Sequence, residues 1–121
     1  MFDTRSKIVT WEAFLSYAEA HPELPIVLGY FDPMWAPHAE RLQSLAVAGK
    51  LLVIVSPFET ALLSDRARAE LVASFGMVDR VTLAGDETQH PQWGTRLVDE
   101  RHGDEQRYKL LAAHVRKRNN V

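Results

Sequence analysis

The sequence predicts one α/β domain of Rossmann-like, three-layer architecture, with a parallel sheet of about four strands and helices on both faces. Short apolar runs typical of buried strands alternate with amphipathic stretches of helical period, in the order α, β, α, β, α, β, a short β, then α. No linker, repeat or change of composition divides the 121 residues. We therefore expect a single domain over residues 1–121.

The first helix and the first strand are predicted from capping and periodicity. Thr10 is the expected N-cap of a helix whose apolar residues recur at helical spacing from Trp11 to Ala18. The pair His21-Pro22 ends this helix. Pro25–Tyr30 is then rich in apolar and β-branched residues, which indicates a strand buried on both faces.

The same alternation continues through the middle of the chain. Pro37-His38 opens the second helix, and Gly49 is expected just beyond its end, where glycine is favoured. Leu51–Val55, LLVIV, is a second buried strand. Ser64-Asp65 caps the third helix. Its expected apolar face comprises Ala67, Leu71, Val72 and Phe75.

The last third of the chain completes the sheet and adds a final helix. Val78, Val81 and Leu83 indicate the third strand, and Thr95–Val98 a short fourth one. The C-terminal helix is expected to start at Asp104, because an acidic residue suits a helix N-terminus.

The composition excludes several classes of function. A formal net charge of −2 argues against a nucleic-acid binder, which needs a strong basic face. We expect no membrane partner, because no apolar run reaches the roughly 20 residues of a membrane span. The N-terminus lacks the apolar core of a signal peptide, so a cytoplasmic location is expected. Without cysteine there is no thiolate catalysis, and the histidines lack metal-ligand spacing, so no metal site is expected.

The loop after the first strand is the predicted binding site. Ligands of parallel sheets bind beyond the carboxyl ends of the strands, where the strand order reverses. Asp32–Ala36 leaves such an end and leads into a helix with His38 in its first turn. Unpaired N–H groups and the helix dipole favour an anion there, so the segment predicts a phosphate or nucleotide site.

This segment, GYFDPMWAPHAERL, resembles the signature of the cytidylyltransferase-like nucleotidyltransferases, and most of all the adenylyltransferase domain of the ADP-heptose synthesis enzymes. Their pattern is G-x-F-D-x-x-H-x-G-H-x-x-x-L. The residues that match it with correct spacing are Gly29, Phe31, Asp32, His38 and Leu42. The stretch DRARAELVASFGMVDRV, with Arg68, Glu70 and Asp79, is also similar to the family's third helix and strand.

The resemblance implies ATP or CTP with Mg²⁺ as the cofactors of an active member, a phosphorylated sugar or alcohol as the second substrate, and a homodimer. It implies His38 as a catalytic residue that stabilises charge on the triphosphate. The nucleotide-binding residues that it implies are Gly29, Tyr30, Phe31, Asp32, Trp35, His38 and Arg68.

The sequence departs from the family where it would contact phosphate. Trp35 stands in place of the first histidine, Pro37 replaces the glycine, and the loop Ser56–Leu63 has no lysine or arginine. We therefore predict a degenerate nucleotidyltransferase-like protein, a nucleotide-binding or protein-interaction module with lost or weak catalysis. The alternatives are an active nucleotidyltransferase with an altered signature and a structural dimerisation subunit.

Three predicted site residues have more than one interpretation. Trp35 stacks on a base or sugar, fills the nucleotide pocket, or lies in a contact between subunits. Asp32 either caps backbone N–H groups or binds Mg²⁺. Arg68 either reaches the pocket or is a paired residue on a charged helix.

Overall fold

A computed structural model describes residues 3–32, 35–84 and 93–119. The strands are β1 (Ile26–Gly29), β2 (Leu51–Val55), β3 (Val78–Leu83) and β4 (Leu97–Asp99). The α-helices are α1 (Trp11–Ala20), α2 (Ala36–Leu45), α3 (Asp65–Ala73) and α4 (Arg101–Asn119), and short 3₁₀ helices span Thr4–Lys7 and Gly94–Arg96. None of the described helices combines the length and the apolar character that a membrane span requires.

The strands form one parallel sheet in the order β3-β2-β1-β4. The strand order reverses between β1 and β4, because the chain builds outward from β1 to β3 and then crosses to the other side of β1. The predicted fold class, a small α/β domain with a parallel four-stranded sheet, is confirmed.

The core has two halves, one on each face of the sheet. On one face, Phe14 and Ala18 of α1 pack with the β1 and β2 residues of that face. On the other, Leu42 of α2 and Val72 of α3 pack with the alternate strand residues such as Val53. Because successive side chains of a strand face opposite sides, apolar residues at every position of β1 and β2 are buried.

The predicted helix caps are confirmed. The Thr10 side chain accepts a hydrogen bond of 3.2 Å from the N–H of Ala13, and Ser64 accepts one of 3.1 Å from the N–H of Ala67. α1 ends at Ala20, with His21 as its C-cap. These signals are local, so the sequence alone is sufficient to locate both helix starts.

Other predicted boundaries are wrong in detail. α2 ends at Leu45, and Gly49 lies instead in the turn of Val47–Lys50 with φ +75°, so glycine serves the turn and not the helix end. α4 starts at Arg101, three residues before the predicted start. The strands β1 and β4 also differ by one or two residues from their predicted limits.

The predicted apolar face of α3 is also partly wrong. Leu71 is exposed, and Phe75 lies beyond the end of the helix. The residues of α3 that are buried are Arg68, Ala69, Val72 and Ala73. The buried face of α3 therefore includes a charged side chain, Arg68, although the predicted face of this helix is entirely apolar.

α1 is held to the edge of the sheet by a polar contact. The phenol of Tyr17 donates a hydrogen bond to the carboxylate of Asp79, and the guanidinium of Arg80 lies 4.3 Å from the centre of the same ring. The hydrogen bond to Asp79 raises the pKa of Tyr17, because it favours the protonated phenol. Asp79, one of the family-like residues, thus has a packing role in this fold.

Candidate functional site

The segment from the end of β1 into α2 carries four hydrogen-bond donors. The backbone N–H of Tyr30 directly follows the strand, Trp35 is the N-cap residue of α2, and His38 is at the third helical position. Arg41 follows one turn later. We call these four groups, the Tyr30 N–H and the side chains of Trp35, His38 and Arg41, the donor face.

His38 is fixed on the donor face through its Nδ1 atom. The side chain is only 3% exposed, and Nδ1 accepts a hydrogen bond of 3.4 Å from the backbone N–H of Trp35. This contact resembles half of a capping box, in which the third helical residue reaches back to the N-cap. This contact fixes the orientation of the imidazole ring.

The carboxylate of Asp104, from the first turn of α4, is packed against the donor face. Its Oδ2 atom accepts a hydrogen bond of 2.8 Å from the Tyr30 N–H, and its Oδ1 atom lies 3.0 Å from His38 Nε2. Oδ1 also accepts a bond of 3.1 Å from Arg107. Asp104 is 4% exposed, so a buried carboxylate occupies the anion site expected beside His38.

The strand order brings Asp104 to this place. β4 pairs in parallel with β1, and α4 follows β4 almost without a loop, so the first turn of α4 lies where the strand order reverses. Gly29 makes room for it, because a Cβ atom there would overlap Asp104 Oδ2 and would lie 2.7 Å from the Phe31 ring.

Glu100 makes an ionic contact with the donor face. Its Oε1 atom accepts a bond of 2.8 Å from Arg41, and its Oε2 atom accepts one of 3.1 Å from Arg107. We call Glu100 and Asp104 together the acidic turn. The acidic turn thus sets two carboxylates against the His38 and Arg41 side chains of α2, and Arg107 bridges the two carboxylates.

The acidic turn satisfies the donor face only in part. His38 Nε2 is close to Asp104 but forms no hydrogen bond of good geometry, and Trp35 Nε1 is buried with no hydrogen-bond partner. A buried donor without a partner costs on the order of 1–3 kcal/mol. The contact between α4 and the donor face therefore gives less stabilisation than its number of charges suggests.

The space left beside His38 is very small. The cavity has a volume of about 10 Å³, which is close to the room that one water molecule occupies. Its lining comprises Tyr30, Asp32, Trp35, His38, Phe58, Asp104, Glu105 and Leu111. Typical ligand pockets measure roughly 300–1,000 Å³, so a nucleotide does not fit while α4 is in this position.

A larger opening lies elsewhere, at the outer edge of the sheet. It is an open groove of about 450 Å³ between the start of α1 and β3. Its lining comprises Ile8, Val9, Thr10, Trp11, Glu12, Arg66, Thr82 and Leu83. None of the site residues predicted from the sequence is among them.

Asp32 makes the contacts of a backbone cap. Its carboxylate oxygens accept hydrogen bonds of 2.6 and 2.9 Å from the N–H groups of Leu62 and Leu63. Both oxygens are thereby used to hold the loop that precedes α3. Among the residues that the structure describes, no three His, Asp or Glu side chains are arranged to bind a metal ion.

Arg68 and Phe31 lie in the interior and do not line the cavity, although the Phe31 ring packs edge-on against His38 with ring centres 6.1 Å apart. Arg68 is fully buried, and its Nη1 atom donates bonds of 2.8 Å to the carbonyls of Tyr30 and Ser56, which follow β1 and β2. Its Nη2 atom pairs with Asp65. Phe31 is a core residue with φ +52°, and this unusual backbone conformation turns the chain from β1 toward α2.

No protein-family model matches this chain, and a search of the curated proteins finds no match. The resemblance to nucleotidyltransferases therefore stays a prediction that rests on the motif residues.

The structure brings together four of the residues predicted to form the site. Tyr30, Asp32, Trp35 and His38 line one small cavity, Gly29 lies beneath the Asp104 carboxylate, and Phe31 and Arg68 are in the core. Sequence reasoning missed four residues of the polar cluster, Arg41, Glu100, Asp104 and Arg107. The spacing of Glu100, Asp104 and Arg107 at i, i+4 and i+7 indicates one helical face, but nothing in it indicates contact with α2.

Proposed function

We propose that this chain is a degenerate nucleotidyltransferase-like domain that no longer transfers nucleotides and acts as a protein-interaction module. The observation that carries this proposal is the Asp104 carboxylate against the Tyr30 N–H and His38. A triphosphate needs these same donors, and the carboxylate repels it by its charge. The cavity of about 10 Å³ supports the same conclusion.

The departures from the family motif also support lost catalysis. Trp35 offers one uncharged donor in place of a histidine, and the loop Ser56–Leu63 has no cation for a phosphate. Removal of one such donor commonly costs about 2.7–4 kcal/mol of transition-state stabilisation. The loss of several of them leaves little rate enhancement.

We expect no nucleotidyl transfer by the purified protein. The assay incubates it with Mg²⁺, ATP or CTP and a panel of sugar phosphates, and measures the pyrophosphate released. The release is expected to equal that of a blank without protein. The same nucleotides, together with AMP and CMP, are expected to leave the melting temperature unchanged, since a ligand raises stability only when it binds the native state.

The His38→Ala variant is the control for this assay. Pyrophosphate release that is clear in the wild-type protein and absent in His38→Ala would contradict lost catalysis and favour the active alternative. Stabilisation by a nucleotide without turnover would favour a nucleotide-binding module instead.

Two largely exposed leucines support the interaction part of the proposal. Tyr30 and Phe58 stack with ring centres 4.5 Å apart, and both line the cavity together with Leu111. On the chain next to these residues, Leu62 is 68% exposed and Leu110 is 66% exposed. A partner that covers such exposed apolar side chains removes them from water, which favours association. The partner we propose is a second copy of this chain, as the family resemblance implies.

We expect Leu110→Asp to disrupt this dimer. A charge buried in an apolar contact must be desolvated, so the dimer dissociation constant should rise at least about tenfold, as measured by sedimentation equilibrium. Val47→Asp is the matched control, since Val47 is also an exposed apolar residue but precedes β2, at the amino edge of the sheet. A wild-type protein that sediments as a monomer at every concentration would reject pairing with itself.

A further inference from the structure

The contact between the acidic turn and the donor face is a contact between two separate parts of the fold. The donor face belongs to one continuous segment, from the end of β1 into α2. The acidic turn belongs to the junction of β4 and α4. It supplies a carboxylate to a backbone N–H, to an imidazole and to a guanidinium, which are the groups that bind small oxyanions.

We propose that α4 is an autoinhibitory latch, in which Asp104 acts as an internal anionic ligand that excludes external oxyanions from the donor face. The proposal rests on the proposed function, because it explains how the cavity is closed. The latch proposal adds two points: the Asp104 side chain alone keeps anions out of the cavity, and the donor face still binds an anion when this side chain is removed.

The first argument for the latch is the fit of the carboxylate. Asp104 Oδ2 lies so close to Gly29 that even a methyl group at residue 29 would overlap it. Asp104 is nearly inaccessible to solvent, although it belongs to the first turn of a helix, where an acidic residue is normally solvated. The carboxylate is thus enclosed as a bound ligand would be.

The second argument is that the closure is incomplete. His38 is buried, and its Nε2 atom has no well-aligned hydrogen bond, while the buried indole N–H of Trp35 has no partner. Both side chains line the same cavity as Asp104. A tetrahedral oxyanion has more acceptor atoms than a carboxylate, so it matches the unpaired donors better once Asp104 is removed.

The third argument is that a polar contact joins the start of α4 to α2 and to the end of β1. The contacts of its first two turns with α2 and the end of β1 run through Asp104, Arg107 and the preceding Glu100. Further along, Leu110 is largely exposed. A contact that is local to the start of a helix can open without unfolding of the core strands.

The test compares the binding of inorganic phosphate to the wild-type protein and to Asp104→Ala. Removal of the carboxylate should let phosphate reach the Tyr30 N–H and His38. The expected result is at least about a tenfold higher affinity in the variant, with a rise in Tm of about 5 °C when phosphate exceeds its Kd about tenfold. Sodium chloride of equal ionic strength is the reference.

A site-specific signal locates the bound phosphate. In ¹H–¹⁵N spectra of Asp104→Ala, the amide of Tyr30 should shift as phosphate is added. Glu19→Ala is the control, because it removes an exposed carboxylate on α1, a residue that does not line the cavity beside His38, and it should behave as the wild-type protein does. Equal phosphate affinity of all three proteins, or a Tyr30 amide that does not move, would overturn the latch.

Two further measurements keep the proposal testable if Asp104→Ala does not fold. Asp104→Asn keeps the size of the side chain and removes its charge, so it should bind phosphate more tightly than the wild-type protein. Native-state hydrogen exchange of the wild-type protein should show the amides of Tyr30 and Asp104 opening together, at least about tenfold faster than the amide of Val53 in β2. The latch would be refuted if the amides of Tyr30, Asp104 and Val53 all exchange only on global unfolding.

The latch and the lost catalysis fail in different experiments. Pyrophosphate release by the wild-type protein rejects the proposed function. An inactive wild-type protein together with an Asp104→Ala variant that binds no phosphate rejects only the latch.

Discussion

Arg68→Met is expected to lower the free energy of unfolding by about 3–5 kcal/mol. The guanidinium donates to the carbonyls of Tyr30 and Ser56, and it is fully buried. Methionine fills a similar volume but has no donor, so both carbonyls lose their partner inside the protein. Urea unfolding followed by circular dichroism measures the effect.

The size of this effect follows from what the arginine contacts. Replacement of a buried ion pair by apolar residues is often nearly neutral, because both charges disappear together. Here Asp65 is half exposed and can be hydrated again, but the two backbone carbonyls stay where they are. The loss is therefore governed by the carbonyls that lose a donor and not by the ion pair.

Arg66→Met is the matched control for Arg68→Met. Arg66 lies on the same helix, is exposed, and pairs with Glu70 at 3.3 Å. Exposed pairs of this kind contribute about 0.3–0.5 kcal/mol. If the two variants are equally stable, the hydrogen bonds of Arg68 to the segments after β1 and β2 do not contribute to stability.

Local signals explain how much of the fold is predictable. The caps Thr10 and Ser64 act within one helical turn. The apolar run of β2 is explained by a strand that is covered on both faces of the sheet. Alternating helices and strands then favour a parallel sheet, because a right-handed crossover through a helix returns the chain to the end of the sheet at which the previous strand began. The start of α4 is not predicted correctly, because Asp104 resembles an acidic residue at a solvated helix N-terminus, whereas its carboxylate is used in a tertiary contact.

The candidate site is less predictable, since it depends on contacts between distant segments. The position of His38 in the first turn of α2 follows from the motif spacing. Its partner Asp104 depends on the pairing of β4 with β1, which no local pattern specifies. Arg68 carries a signal that is easy to overlook: with Ala69, Val72 and Ala73 it falls at i, i+1, i+4 and i+5, which is the spacing of one helix face.

Gly29→Ala is expected to destabilise the protein by about 3 kcal/mol and to displace α4. The backbone of Gly29 does not need glycine, because residue 29 is not among those with positive φ. The effect is therefore steric: the new methyl group overlaps Asp104 Oδ2 and lies 2.7 and 2.8 Å from ring atoms of Phe31. Urea unfolding gives the loss of stability, and the Tyr30 amide signal reports the loss of its bond to Asp104.

A double-mutant cycle separates the two overlaps at Gly29. Asp104→Ala removes the overlap with the carboxylate, whereas the overlap with Phe31 remains. Gly29→Ala should therefore lower the free energy of unfolding measurably less in the Asp104→Ala background than in the wild-type protein. Gly76→Ala is the control, since a Cβ at residue 76 meets no atom within 4 Å. Its stability should stay within about 0.5 kcal/mol of the wild type. Full additivity of Gly29→Ala and Asp104→Ala would mean that Asp104 does not rest on Gly29, and the closure of the site would then need a different cause.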